Sequence, residues 1–277
     1  MAYKTILVHC DASRGTAGRL RIAADLADRF GGHVIGLHVR RAFQAPAFTD
    51  AGPAMDSLYQ TYETAVRAEE AMAAAAFRDA VGSKGLSGDW RVADGYVDEI
   101  LTAQARVADL VIVGQAEPDG PPTTTPSDLA ESVAMAAECP VLIVPFIGAA
   151  KPPGKTMMLC WNDSREAKHA AVGAMPLLAA AEKVIVLIVD PKTGRDREQP
   201  GADIAVWLAR HGVKVTVQLD SATDSDVGGV ILSRAADHDV DLIVMGIYGH
   251  SRLRERVLGG ASRTLLASMT APLLVAH

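Results

Sequence analysis

The chain repeats one order of sequence patterns twice, and this repeat constrains its fold more than any other feature. Lys4–Ser13 contains a short apolar run, an acidic residue and a serine, and Lys155–Ser164 follows the same pattern with Asn162 at the acidic position. An alanine-rich helical pattern and a β-branched strand pattern follow each copy. Self-similarity of this kind predicts two copies of one structural unit.

Strand and helix patterns alternate through both halves, which indicates the fold class. The predicted strands after the first of each half are 33–39, 90–93, 110–114 and 141–144, then 183–189, 213–219, 242–246 and 273–276. The predicted helices are 16–30 and 98–106 in the first half and 166–181 and 227–236 in the second. Almost wholly apolar strands that alternate with helices are typical of a parallel sheet covered on both faces. We therefore expect two doubly wound α/β domains.

The joint between the domains is predicted at Ile147–Gly154, where two prolines and two glycines continue neither strand nor helix. The predicted domains are residues 1–147 and 154–277. The first is expected to carry an insertion at Phe43–Val81, with a long helix that the second half lacks. The predicted final strands, Val141–Val144 and Leu273–Ala276, are short apolar sheet edges, and unpaired edges favour pairing with another strand.

Composition excludes several classes of protein. With 277 residues, 49% of them hydrophobic and 22% charged, the chain can bury a substantial core and is not disordered. Its net charge of −6 argues against general attraction to nucleic acid or anionic membrane, so an anion site has to be local. Three scattered cysteines form no disulfide framework. No signal peptide or apolar run of about 18 residues is apparent, so the cytoplasm is the expected compartment.

The segment after the predicted strand 242–246 is the most informative stretch for function. It reads G-x2-G-x9-G-G-x-S and opens a predicted helix, with glycines at 246, 249, 259 and 260 followed by Ser262. Glycine lets the backbone approach a ligand closely, and a helix N-terminus offers unpaired N–H groups to an anion. Residues 250–263 carry four arginines against one glutamate, a net charge of +3. A phosphate site is one interpretation, and a solvated face with turn glycines is the other.

The repeat and this motif together resemble the universal stress protein family, whose ATP-binding members carry G-x2-G-x9-G-(S/T) after the fourth strand. The resemblance covers nearly the whole chain. It implies two tandem five-stranded sheets of the adenine nucleotide alpha hydrolase-like type, with strand order 3-2-1-4-5, related by a pseudo-two-fold axis. It also implies ATP, bound with Mg²⁺, as the ligand of the second half.

The resemblance also assigns the candidate binding residues. The loop glycines and Ser262 are expected to hold the phosphates, Asn162 to lie beside the nucleotide, and Val189 to border the adenine. The full candidate set is Asn162, Asp163, Ser164, Val189, Gly246, Gly249, His250, Gly259, Gly260, Ala261 and Ser262. Two residues depart from the family pattern: Gly260 replaces a serine or threonine, and Asn162 replaces an aspartate. No catalytic or metal-ligating residue is assigned.

The first half departs further from the motif. Gln115–Glu131 has several prolines and no glycine pair, and Asp128 and Glu131 would repel phosphate at a helix start. Asp11 keeps the acid that the family has after its first strand. We therefore expect a degenerate first domain that binds no nucleotide through this loop.

Three classes of function remain open at the level of sequence. The first is an ATP-binding regulatory protein of the stress response, and the second is a slow ATP hydrolase with His250 or Asp163 as its candidate base. The third is a nucleotide-free scaffold that presents the 43–81 helix to a protein partner. Association of two chains into a homodimer is also left open.

Overall fold

A computed structural model describes residues 2–43, 53–117, 126–190, 199–222, 226–247 and 260–277. By its internal contacts the chain divides into two compact units, Tyr3–Val133 and a second unit made mostly of Ala134–His277. The helix α4, Leu129–Ala136, spans this division. None of the helices in the described ranges is both long and apolar enough to cross a membrane.

The first unit is a parallel sheet with helices in its connections. Its elements are β1 Thr5–His9, α1 Thr16–Phe30, β2 His33–Arg40, α2 Pro53–Gly82, β3 Gly88–Asp94, α3 Val97–Ala105 and β4 Leu110–Gly114. The strands lie in the order β3-β2-β1-β4, and the pairs β1–β2, β1–β4 and β2–β3 are parallel. Buried strand residues such as Ile6, Leu37 and Ile112 form the core that the helices cover.

The second unit repeats this arrangement. Its strands are β5 Val141–Val144, β6 Thr156–Cys160, β7 Lys183–Val189, β8 Val215–Asp220, β9 Leu242–Gly246 and β10 Leu273–Ala276. Its helices are α5 Arg165–Gly173, α6 Met175–Leu178, α7 Ala202–Arg210, α8 Val227–Asp237 and α9 Gly260–Ser268. Within the second half, β6 to β10 are the first to fifth strands. They lie in the order β8-β7-β6-β9-β10, which is the predicted order 3-2-1-4-5.

The two predicted edge strands pair with each other inside this second unit. β5 runs antiparallel to β10, with Leu142 opposite Leu274 and Val141 opposite Val275. Every other strand pair of the unit, from β10–β9 to β7–β8, is parallel. The expectation that these apolar edges pair is therefore confirmed.

Two predicted helical segments differ from the structure. The single helix expected over 166–181 is divided into α5 and α6, because Pro176 in the first turn of α6 cannot continue the hydrogen bonding of α5. The long helix α2 also has a counterpart after all, since the nine-residue α7 lies between β7 and β8. The expectation that the second half lacks this helix was wrong, and the two halves differ in its length.

In each unit, one aspartate precedes the fourth strand and binds the backbone at the start of the first strand. The Asp109 carboxylate accepts hydrogen bonds from the backbone N–H groups of Lys4 and Thr5, both at 2.8 Å. In the second unit the Asp241 carboxylate accepts from Gly154, Lys155 and Thr156 at 2.7–3.1 Å. The repeated Asp-Leu sequence therefore anchors the start of the central strand in both halves.

Candidate functional site

A pocket opens at the carboxyl ends of the strands in the second unit. Its walls come from β6, β7 and β9 of the sheet and from α8 and α9 above it, and it encloses about 440 Å³, including space open to solvent. The residues that line it are Cys160, Trp161, Asn162, Leu187, Val189, Val227, Ile231, Met245, Gly246 and Ala261. This is where open α/β sheets bind their ligands.

The lining is apolar except at its mouth. Leu187, Ile231 and Met245 are buried, and Val189 and Val227 are half-buried. Cys160 is the only titratable side chain among the lining residues, and burial raises the pKa of its thiol to about 12. The described part of the lining therefore offers a flat apolar group a place to pack and presents no charged side chain.

The turn from β6 into α5 organises the predicted residues 162–164. The Asn162 Oδ1 atom accepts a hydrogen bond from the Ser164 N–H at 3.2 Å, and the Ser164 hydroxyl caps α5 by accepting from the Ala167 N–H at 3.1 Å. Asp163 adopts a positive φ of 59° and accepts a hydrogen bond from the indole N–H of Trp161 at 2.8 Å. Asn162 lines the pocket, whereas Asp163 and Ser164 shape the turn beside it.

Gly246 ends β9 at a point where no side chain fits. A Cβ atom there would lie 2.3 Å from the backbone nitrogen of Ala167 and 2.3 Å from the backbone carbon of Glu166. The start of α5 therefore packs directly on this glycine. The sequence analysis expected this glycine to let the backbone approach a ligand, and among the described residues it is α5 that makes the close approach.

The other end of the motif lies at the start of α9. Gly260 is the first residue of this helix and is exposed, and a Cβ atom added to it would meet none of the described residues within 4 Å. Ala261 lines the pocket, and Ser262 is 4% exposed. The unpaired N–H groups of the first helical turn thus lie at the edge of the pocket, where they can bind an anion.

The structure therefore brings Asn162, Val189, Gly246 and Ala261 together around one pocket, with Gly260 and Ser262 on the same helix as Ala261. The predicted residues Gly249, His250 and Gly259 lie outside the described residues.

Sequence reasoning missed most of the apolar wall. Leu187, Val227, Ile231 and Met245 were not singled out, although each occupies a position near a strand end or on a predicted helix. These residues carry no motif that distinguishes them from ordinary core residues. The signal that could have found them was their position on the elements that surround the recognised polar residues.

The same position in the first unit is filled by the protein itself. His9, at the end of β1, pairs with Leu37 of β2, and Cys160, at the end of β6, pairs with Leu187 of β7. His9 therefore corresponds to Cys160. Asp11 and Asn162 each lie two residues further on and correspond to one another. The Arg19 guanidinium, 3% exposed, donates to the Asp11 carboxylate at 2.5 Å and to the His9 carbonyl at 3.1 Å. It also lies against Gly114, where an added Cβ would be 2.3 Å from Arg19 Nη1.

One oxygen of the Asp11 carboxylate, Oδ1, is the centre of this cluster. It accepts from the Ser13 hydroxyl and the Thr16 hydroxyl, both at 2.6 Å, and from the Ser13 N–H at 3.1 Å. Burial lowers the pKa of neighbouring His9 to about 4, and its Nδ1 atom is buried without a hydrogen-bond partner among the described residues. The described part of the first unit thus has a closed polar cluster where the second has a pocket.

The sequence profile of the universal stress protein family matches the chain twice, at residues 2–145 and 155–277. The chain therefore belongs to the universal stress protein family. No curated protein sequence is significantly similar to it.

Solved structures of similar fold cover nearly the whole chain. A universal stress protein from Archaeoglobus fulgidus DSM 4304 is 14% identical, with a TM-score of 0.73 over 98% of this chain and 97% of that one. A functionally unknown protein from Pseudomonas aeruginosa PAO1 is 19% identical, with a TM-score of 0.63 over 99% of this chain and 92% of that one. These similarities establish the tandem fold.

Proposed function

We propose that this chain is a cytoplasmic regulatory protein of the stress response that binds one molecule of ATP, in its second half. The observation that carries the proposal is the pocket where Asn162, Val189 and Gly246 meet the N-terminal turn of α9. The pocket lies beyond the carboxyl ends of the strands, where open α/β sheets bind small ligands. The apolar wall suits a base, and the helix start suits its phosphates.

The lining favours binding over catalysis. A general base for hydrolysis needs a pKa near the working pH, and Cys160, with a pKa of about 12, is the only titratable group among the described lining residues. Binding without rapid turnover suits a protein whose bound nucleotide alters its conformation or its contacts with a partner. We therefore favour a nucleotide-dependent regulator over an ATP hydrolase.

The test is calorimetric titration of the full chain with ATP, alone and in two Gly260 variants. The wild-type protein should bind one ATP per chain. Gly260→Asp should abolish binding, because its carboxylate would stand at the phosphate-binding end of α9. The fold should survive, since an added side chain meets no described residue and an acidic residue stabilises a helix N-terminus.

Gly260→Ser is the control, because it adds a polar side chain without charge at a position where the family pattern has serine or threonine, and it should bind ATP at least as well as the wild type. Circular dichroism would verify that both variants are folded. Undiminished ATP binding by Gly260→Asp would refute the assigned site. If the wild-type protein binds no ATP, the scaffold function becomes the better interpretation.

A further inference from the structure

A serine, a histidine and an aspartate meet at the amino ends of β2 and β3 in the first unit. The His33 Nδ1 atom lies 2.7 Å from the Ser87 hydroxyl oxygen, and the His33 Nε2 atom lies 3.3 Å from the Asp89 carboxylate. Hydroxyl, imidazole and carboxylate are thus linked in series, as the nucleophile, the base and the orienting acid are in serine hydrolases. Because 54 positions separate His33 from Ser87, the sequence shows no local motif for this group.

The alternation of side chains along β3 places the group on one face of the sheet. Ser87 and Asp89 are two residues apart at the start of this strand, and side chains two apart share a face. Gly88, between them, points toward α2, since a Cβ atom there would lie 3.0 Å from the Phe77 ring. Ser87 and Asp89 therefore face away from α2, where His33 of the neighbouring strand reaches both.

The contacts of His33 determine which of its ring nitrogens can act as a base. An ionised carboxylate only accepts hydrogen bonds, so the contact with Asp89 places the proton of the neutral imidazole on Nε2. Nδ1 then carries the lone pair and accepts from the Ser87 hydroxyl at 2.7 Å, a distance suited to proton transfer. Asp89 is shared, because the Arg91 guanidinium lies 3.8 Å from the same carboxylate oxygen.

A backbone donor follows the serine directly. The Val34 N–H donates to the Ser87 carbonyl at 3.2 Å, and Val34 lies opposite Gly88 in the parallel pair β2–β3. In this register the N–H of Gly88 itself points away from β2. Since β3 is the first strand in the described order, this N–H faces outward from the sheet edge, where it can donate to an oxyanion.

The hydroxyl is open to small reactants. Among the described residues Ser87 is exposed, and the side chains of His33 and Asp89 are 33% and 58% exposed. We propose that Ser87 is a nucleophile that takes acyl groups from small activated esters, with His33 as its general base and Asp89 as a positioning residue. This activity lies outside the proposed function and does not depend on it.

The reaction has two steps. In the first, Ser87 Oγ attacks the ester carbonyl carbon while its proton passes to His33 Nδ1, and the bond to the leaving alcohol breaks as that alcohol takes the proton. In the second, water attacks the acyl-serine while His33 takes a proton from it. The carboxylic acid leaves, and the Ser87 oxygen recovers its proton from His33.

The experiment is incubation of the full chain with p-nitrophenyl acetate, followed by peptide mass spectrometry. Ser87 should be acetylated at least about tenfold faster than Ser83, an exposed serine whose hydroxyl donates to the Ala80 carbonyl. His33→Gln should slow acetylation of Ser87 about 100-fold, because glutamine keeps hydrogen-bonding capacity but cannot act as a general base.

The conservative variant tests the positioning role of Asp89. Asp89→Ala should slow acetylation of Ser87 roughly tenfold, and Asp89→Glu should restore most of the rate, because a carboxylate orients His33. An equal loss in both variants overturns that role.

The wild-type protein alone can overturn the proposal. Acetylation of Ser87 no faster than that of Ser83, or none at Ser87, contradicts it without any variant. An unchanged rate in His33→Gln, with its fold verified by circular dichroism, overturns the role of His33. Calorimetric titration with ATP addresses the second half separately, so failure of one proposal leaves the other standing.

Discussion

Arg19 is the residue that most sharply separates the two halves of the protein. Its guanidinium bonds Asp11, Thr16 and the His9 carbonyl inside the first unit, at distances of 2.5–3.1 Å. A buried ion pair adds little net stability over apolar packing, but loss of one partner leaves a costly unpaired charge. The pair therefore fills the position equivalent to the pocket of the second unit and fixes the turn after β1.

His9, beside this pair, predicts a specific pH dependence of stability. Burial is the main cause that lowers its folded-state pKa to about 4, with Arg19, His38 and Arg41 lowering it further and Asp11 opposing them. The unfolded chain binds this proton near pH 6.5 and the folded chain does not, so the contribution of His9 is fully present above pH 6.5. It should be lost progressively from about pH 6.5 to 4, by about 3 kcal/mol in total.

The measurement is urea denaturation of wild type and His9→Gln across this pH range. Glutamine cannot titrate, so the variant should lack the part of the acid-induced loss that belongs to His9, whatever its stability at neutral pH. Parallel pH profiles for the two proteins would show that His9 is protonated in the folded state.

At the scale of elements, the carboxylates before the fourth strands hold each sheet in register. Asp241, 6% exposed, accepts from three successive N–H groups that lead into β6, and Asp109 does the same for β1 with two. Charge-assisted hydrogen bonds are stronger than neutral ones, and a buried donor left without an acceptor is costly. These residues thus link neighbouring strands that are distant in sequence.

Asp241→Asn should therefore destabilise the second unit by about 2 kcal/mol or more, because the amide replaces one acceptor oxygen with a competing donor. Hydrogen exchange should show faster exchange at the N–H groups of Lys155 and Thr156. Asp239→Asn is the matched control: this carboxylate is 80% exposed and pairs only with surface Lys151 among the described residues, so the change should be within about 0.5 kcal/mol. Equal effects of the two substitutions would contradict the anchoring role.

At the scale of the whole molecule, the tandem repeat joins two units that differ at the position of the pocket. The second keeps an open pocket, whereas the first has filled the equivalent position with Arg19 and its partners. The described residues thus show one unit with an open pocket and one unit in which the equivalent position is closed. This asymmetry is what makes the ligand stoichiometry of the chain informative.

Saturating ATP should accordingly protect only one half from hydrogen exchange. We expect slower exchange at the ends of β6, β7 and β9 and at the start of α9, because a ligand stabilises the state that binds it. The ends of β1, β2 and β4 should be unchanged and provide the internal control. Equal protection of both sets of strands would show that the first half also binds nucleotide.

The sequence by itself determined the repeat, the parallel α/β class, the strand positions and the motif that leads into α9. These features are local, because strand and helix periods and glycine spacing are written in consecutive residues. It also indicated that the first half departs from the binding pattern. It missed the helix break at Pro176, although a proline inside a helical pattern is a local signal, and it missed the short helix α7.

Only the tertiary structure decided what occupies each strand end. Asp11 and Asn162 look alike in the sequence, and nothing local shows that Arg19, eight positions further on, is buried against one while Ala170 leaves the other open. The apolar wall of the pocket was likewise hidden, because Leu187, Ile231 and Met245 have the same patterns as core residues. A pocket exists through contacts between segments far apart in the chain, and those contacts form only when the sheet does.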